Sequence, residues 1–151
     1  MYYRGGLVMM ELVPVHQLSD CDKSEALEQC VKILNYEWPR SDTIRLRGLQ
    51  SSSDKLPSNL VLFTREEERI RVIGHSRISK IPADNTQIFI ESVVIHPQLR
   101  YVVNHCVVFL WVCYRGLGLG KILMLMTELF CLSRGFTSAH LTTHDQQVSV
   151  S

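Results

Sequence analysis

The sequence lacks an excess of charge of either sign. Its 151 residues carry 16 Lys and Arg against 15 Asp and Glu, a formal net charge of +1. That balance excludes the chain-wide basic field that holds nucleic acid. Paired-cysteine spacing is missing too. Cys21, Cys30, Cys106, Cys113 and Cys131 are odd in number, and none forms a C-x-x-C pair, so no metal site is expected. Free thiols acting as small core hydrophobes in a reducing cytosol are the expectation. No hydrophobic run reaches membrane length. The longest, Tyr101–Tyr114 (YVVNHCVVFLWVCY), has 14 residues and includes Asn104 and His105, whereas a spanning helix needs about 20. Leu7–Met10, near the start, is shorter than the apolar core of a signal peptide. A cytosolic monomer that binds neither nucleic acid nor membrane follows as an expectation. Charge is scarce toward one end: residues 101–151 hold five charged side chains, Arg115, Lys121, Glu128, Arg134 and Asp145, against 26 in residues 1–100. What is plentiful is apolar surface. Hydrophobic residues make up 46%, which excludes an intrinsically disordered chain.

The hydrophobic pattern predicts mixed α/β structure. Leu12–Val15 reads as a short strand, placed on an edge by Pro14. Asp22–Asn35 reads as a helix, with Asp22 as cap, Glu25 three residues on, and Leu27, Cys30, Val31 and Leu34 on one face. The segment NYEWP (35–39) breaks it, and Ser41 starts a second helix carrying Ile44, Leu46 and Leu49. Asn59–Thr64 and Arg71–Ser79 read as strands joined by the charged turn Arg65–Arg69. Pro82–Asn85 makes the next turn. Ile88–Ile95 is nearly continuous apolar, which predicts a central strand covered on both faces. Gly118–Arg134 reads as a buried helix closed by Gly135, and Ser138–Thr143 begins a last strand.

One segment carries chemistry: Arg115-Gly116-Leu117-Gly118-Leu119-Gly120-Lys121, opening the buried helix. Closely spaced glycines let backbone N–H groups crowd toward an anion, and a helix N-terminus adds free donors and a positive dipole end. The spacing tells cradles apart. A P-loop would need Gly at Arg115 and Ser or Thr at Ile122. A dinucleotide fingerprint would need Gly at Lys121. Arg115-x-x-Gly118-x-Gly120 fits instead, and on spacing alone a tight strand-to-helix turn stays open as the alternative.

Arg-x-x-Gly-x-Gly resembles the pyrophosphate-binding signature of the GCN5-related N-acetyltransferase (GNAT) superfamily. The order of elements also matches that acyl-CoA acyltransferase fold, a mixed, mostly antiparallel sheet flanked by helices. More narrowly, LNYEWPRSDTIRLRGLQSSSD (34–54), GHSRISKI (74–81), IESVVIHPQLR (90–100) and HLTTHDQ (140–146) are similar to segments of the actin N-terminal acetyltransferases. The resemblance covers most of residues 12–146, leaving 1–11 and 147–151 as expected tails.

The resemblance implies acetyl-CoA as co-substrate. Its pyrophosphate would rest on Arg115, Gly116, Leu117, Gly118, Leu119, Gly120 and Lys121, and its pantetheine arm would pair with the backbone of Val93, Val94 and Ile95. A backbone N–H near Val93 would polarise the thioester carbonyl. The acceptor amine would attack directly, with no covalent enzyme intermediate. An N-terminal amine has a pKa of roughly 8, so a base helps, and Glu91, His140 and His144 are the candidates. Taken singly, each histidine also fits an ordinary surface or core position. Trp38 would shape the peptide entrance, with Arg40, Arg45 and Arg47 as a basic patch for an acidic N-terminus. Arg45 and Arg47 equally fit the outer face of a helix. Processed actin, in a profilin complex, is the implied partner. An acetyltransferase of the same fold for another amine, and a catalytically inactive isoform acting as a binding module, are the alternatives.

Two departures stand against that pattern. Residues 101–115 separate HPQLR from GLGLGK, and without them the match is uninterrupted, so Arg100 competes with Arg115 for the signature position. The insert, charge-free apart from Arg115, resembles translated non-coding sequence. It separates the pantetheine strand from the phosphate cradle, and misplacement by about 1 Å can cost roughly 100-fold in rate. The family pattern also continues with a helix and two strands that would follow Ser151, and their absence is expected to expose apolar surface and a sheet edge.

Overall fold

The computed structural model describes residues 2–5, 8–100 and 118–141. Six strands form one sheet in chain order: β1 (Tyr2–Gly5), β2 (Val8–Pro14), β3 (Ser58–Glu66), β4 (Arg69–Ile81), β5 (Asp84–Ile95) and β6 (Ser138–Leu141). Neighbours from β1 to β5 are antiparallel, and β6 runs parallel to β5. Helices α1 (Asp20–Glu37) and α2 (Asp42–Gln50) cover one face, where Ala26, Cys30, Leu34 and Leu49 pack on Val61, Phe63, Val72 and Val94. Helix α3 (Leu119–Ser133) covers the other, where Ile122, Leu123 and Met126 pack on Leu60, Leu62 and Ile95. No helix among the described residues is long and apolar enough to cross a membrane.

Several boundaries differ from the sequence reading. The helix cap is Ser19, whose Oγ accepts from the Asp22 amide at 3.3 Å. Asp22 is thereby the third residue of the helix rather than its cap, and its carboxylate takes Arg65 at 2.8 Å. That guanidinium holds the Asp22 carboxyl below its usual pKa. Asn35 does not end the helix, which runs to Glu37; only Pro39 forces the stop, because it disfavours helical backbone at the residue before it. Residues 2–5 and 8–11, read as tail, are strands. Pro14 sits at the end of β2 beyond its pairing with β1, which stops at Glu11.

The strand covered on both faces is β3, not β5. Ser58 through Thr64 are all buried, because β3 lies beneath both α1 and α3. In β5 the burial alternates: Ile88 and Ile90 turn to α3, while Gln87, Phe89 and Glu91 turn to a side that α1 and α2 only partly reach. Gly74 is required where α3 crosses β4. A Cβ there would lie 2.7 Å from the Val94 carbonyl oxygen and 3.1 Å from Leu123 Cδ2. Cys30 and Cys131 are buried as expected, with burial pushing their thiols up to about 12 and about 11, whereas Cys21 is exposed.

Candidate functional site

The site is organised by an irregularity in β5. His75 pairs with Val94 and Arg77 with Glu91, so one residue of β4, Ser76, faces two of β5, Ser92 and Val93. This is a β-bulge, and Ser92 takes the left-handed backbone conformation at φ 52°. Such strain persists only where surrounding bonds hold it. Here they come from both faces. On the α1/α2 face His75 Nδ1 lies 3.2 Å from the Ser92 carbonyl oxygen. On the α3 face Ser76 and Thr127 share a buried hydroxyl hydrogen bond of 2.8 Å.

Beside the bulge, on the α1/α2 face, is a cavity of about 160 Å³ lined by Arg40, Arg45, Asn59, His75, Arg77 and Ser92, with Leu34, Ile44, Gly48 and Leu49 completing its wall. Its cations have few acceptors. Arg45 donates through Nε to Asn35 Oδ1 at 3.1 Å and through Nη2 to the Trp38 carbonyl. Burial, with Arg40 nearby, lowers the Arg45 pKa. Arg77 Nε is buried with no hydrogen-bond partner among the described residues. A buried unsatisfied donor costs about 1–3 kcal/mol. A carboxylate entering this cavity would supply the missing acceptor and offset the crowded positive charge. A second cavity of about 240 Å³, between α3 and β6, is lined mainly by apolar groups such as Ile90, Met124, Cys131 and Phe136.

The structure distributes the expected residues unevenly. Glu91 stands opposite Arg77 in the β4–β5 register, next to the cavity. His140 is exposed, opposite Phe89 on β6, with Nε2 2.8 Å from Gln87 Oε1. Arg40 and Arg45 enter the cavity wall. Arg47 is exposed and does not line it, and Trp38 packs half-buried against the α1 core. Val94 and Ile95 bury their side chains, and Val93 packs toward α3. The β5–β6 pairing runs from Gln87 to Ile90. Among the described residues no strand pairs with Glu91–Ile95 on that side, leaving backbone that an extended chain can bond. Arg100 is engaged inside the protein, donating to the Ile95 carbonyl at 2.9 Å and pairing with Glu37 at 2.7 Å. His144, Arg115, Gly116 and Leu117 lie outside the described residues.

Arg77, His75 and Asn59 were not singled out as site residues from the sequence. A signal existed: His75 and Arg77 are two apart in a strand, hence on one face, in a segment otherwise rich in core residues.

Comparison with known proteins decides the family. Over 127 residues, 82% of this chain, the sequence is 35% identical to mouse N-alpha-acetyltransferase 80. The chain belongs to the GNAT acetyltransferase superfamily. It spans about a third (36%) of that relative's length. No family model matches the sequence. The fold is shared with a GNAT family acetyltransferase from Staphylococcus aureus, at TM-score 0.59 and 19% identity over 94% of this chain and 92% of that one. It is shared equally with the aminoglycoside N-acetyltransferase AAC(6')-Iy, solved in complex with CoA, at TM-score 0.59 and 13% identity over 95% and 82% of the two chains.

The described part of the GNAT signature, Gly118 to Lys121, fits a phosphate cradle. Gly118 is the N-cap of α3 and has no side chain with which to cap it. Neither Gly118 nor Gly120 has a positive φ, and a Cβ on either would meet no atom of the described residues within 4 Å. Internal packing therefore does not demand glycine at these positions. What a side chain would occupy is the space at the α3 N-terminus, where free backbone donors favour an anion.

Proposed function

We propose that this chain is an acetyl-CoA-dependent N-terminal acetyltransferase for proteins with acidic N-termini, with processed actin as substrate. The observation that carries the reading is the cavity of Arg40, Arg45 and Arg77 beside the β5 bulge, with Arg77 Nε buried and without a partner among the described residues. Guanidinium groups bind carboxylates in two-pronged fashion, so the cavity suits the Asp or Glu side chains of such a terminus. Acetyl-CoA would be held by the amides from Gly118 to Lys121 and by the backbone of Val93, Val94 and Ile95 on the side away from β4, and would supply the acetyl thioester. Val93 N–H would stabilise negative charge developing on the thioester carbonyl oxygen. Glu91, beside both the bulge and the cavity, is the best-placed base to take a proton from the α-amine as the C–N bond forms and the thiolate leaves. The name of the mouse relative agrees with an α-amine acceptor.

The test is acetylation of a peptide beginning with several Asp residues, against the same peptide with Asn in their place, followed by mass spectrometry. The acidic peptide is expected to react at least about tenfold faster, corresponding to about 1.4 kcal/mol. Equal rates would overturn the acidic preference. Absence of any acetyl transfer would overturn the enzymatic reading.

A further inference from the structure

His75 is buried to 1% exposure and its ring touches two oxygens. Nδ1 lies 3.2 Å from the Ser92 carbonyl, and Nε2 lies 3.1 Å from Asn59 Oδ1. The Asn59 amide cannot turn to help. Its Nδ2 donates to the carbonyls of Gly48 and Leu49, at 3.1 and 3.3 Å, in the last turn of α2. Turning it would set Oδ1 against those two carbonyl oxygens. His75 therefore faces two acceptors, and a neutral imidazole has one N–H. Only an imidazolium donates to both.

The surroundings oppose that charge. Burial, with Arg77 and Arg45 adding repulsion, pushes the His75 pKa down to about 4. The charged groups around the ring are Arg45 from α2, Arg40 from the linker before it, Arg77 from the same strand, and Glu91 across on β5. To the cavity α1 contributes Leu34 and β3 contributes Asn59, both uncharged. Positive charge dominates, so in the free protein one of the two acceptors receives no proton from the ring. A carboxylate in the cavity would reverse the balance, since opposite charge within about 4–6 Å favours the charged form of a titrating group.

We infer that His75 is a proton-coupled positioning residue: a substrate carboxylate entering the arginine cavity draws a second proton onto the ring, which then donates to Ser92 and Asn59 together. The proton comes from solvent, and no bond to the substrate forms. The consequence is mechanical. The chain of contacts from α2 through Asn59 and His75 to Ser92 closes only when the acidic end is bound, and it fixes the bulge beside Val93. This rests on the acidic-terminus reading above.

Calorimetry of the acidic peptide binding to the whole chain, in two buffers of different ionisation enthalpy at about pH 6, reads the coupling. The wild-type chain is expected to take up a substantial fraction of one proton per peptide, falling toward zero by about pH 8. His75→Gln and His75→Asn are expected to bind the peptide with no uptake. The pair also separates the two contacts. Asn places its amide near the Nδ1 position and keeps the bond to Ser92, whereas Gln reaches the Nε2 position and keeps Asn59. If the bulge contact matters for turnover, kcat falls at least about tenfold more in His75→Gln than in His75→Asn, with peptide KM little changed. Peptide binding without proton uptake, or uptake that survives in both variants, would overturn the coupling alone. Absence of peptide binding would overturn the acidic-terminus reading and the coupling with it. Should a variant fail to fold, the wild-type measurement still decides.

Discussion

Arg77 and Glu91 are cross-strand partners on the face of the sheet that turns toward α1 and α2. No ion pair joins them among the described residues, and Arg77 Nε keeps no acceptor. The two groups are thus available for different tasks. Arg77→Met is expected to raise KM for an acidic peptide about tenfold and to leave a neutral peptide unaffected. Folding stability should hold or rise slightly, since the substitution removes an unsatisfied buried donor. Glu91→Gln is expected to lower kcat by about 100-fold with little change in KM. Steady-state kinetics on both peptides, with a chemical denaturation curve for each variant, check this.

Gly120→Ala should separate folding from cofactor binding. The position is helical and open, so alanine is expected to raise stability by up to about 1 kcal/mol. The same methyl group occupies the approach to the α3 amides, and affinity for CoA should fall at least about tenfold. Thermal melts with and without CoA measure both effects, because a ligand that binds only the folded state raises its midpoint.

Gly74→Ala is expected to destabilise the protein by about 1–3 kcal/mol, the usual range for overpacking. Its Cβ would press on backbone, the Val94 carbonyl oxygen at 2.7 Å, and backbone cannot give way as a side-chain tip can. Denaturant unfolding with an unchanged slope would identify a loss of native stability.

Acid should weaken the fold through His75. Its pKa is lowered from 6.5 to about 4 by burial, so the unfolded chain binds the proton more readily than the folded one. The resulting stability is fully present above about pH 6.5 and is lost as pH falls toward about 4. In His75→Asn that loss should be smaller over the same window, as read from urea midpoints at a series of pH values.

The β3–β4 hairpin offers an independent gain. Glu67 and Glu68 form its two-residue turn with φ of 50° and 68°, a conformation that side chains disfavour. Replacing the pair by Asn-Gly, which suits this turn, is expected to stabilise by about 1 kcal/mol in thermal or chemical unfolding.

Elements were legible in the sequence where one physical signal dominated. The 3.6-residue spacing of Leu27, Cys30, Val31 and Leu34 marked α1, and Gly135, at φ 86°, marked the end of α3. Ser41 starts α2 as read, and its hydroxyl caps the helix. The α1 cap was misread because Ser19 and Asp22 both suit the role, and the choice depends on Arg65, 43 residues away, which claims the Asp22 carboxylate. Burial of β3 rather than β5 was equally hidden. Both are apolar, and coverage depends on where helices from elsewhere in the chain come to lie. At the site, Arg40, Arg45 and Glu91 were nameable as residue types in suitable positions. Arg77, His75 and Asn59 were not, since their significance lies in which oxygens their nitrogens meet or, for Arg77 Nε, fail to meet among the described residues.

The sequence by itself determined the order of strands and helices from β2 onward, the glycine signature opening α3, and membership of an acetyltransferase superfamily. Hydrophobic periodicity and short-range glycine and capping preferences are local properties of the chain. Only the tertiary structure decided that Asn59, His75 and Arg77 gather with Arg45 around one cavity beside a strained serine. Their hydrogen bonds, and the missing one at Arg77 Nε, arise between segments distant in sequence. Burial then sets their electrostatics, and no stretch of the chain has a burial of its own.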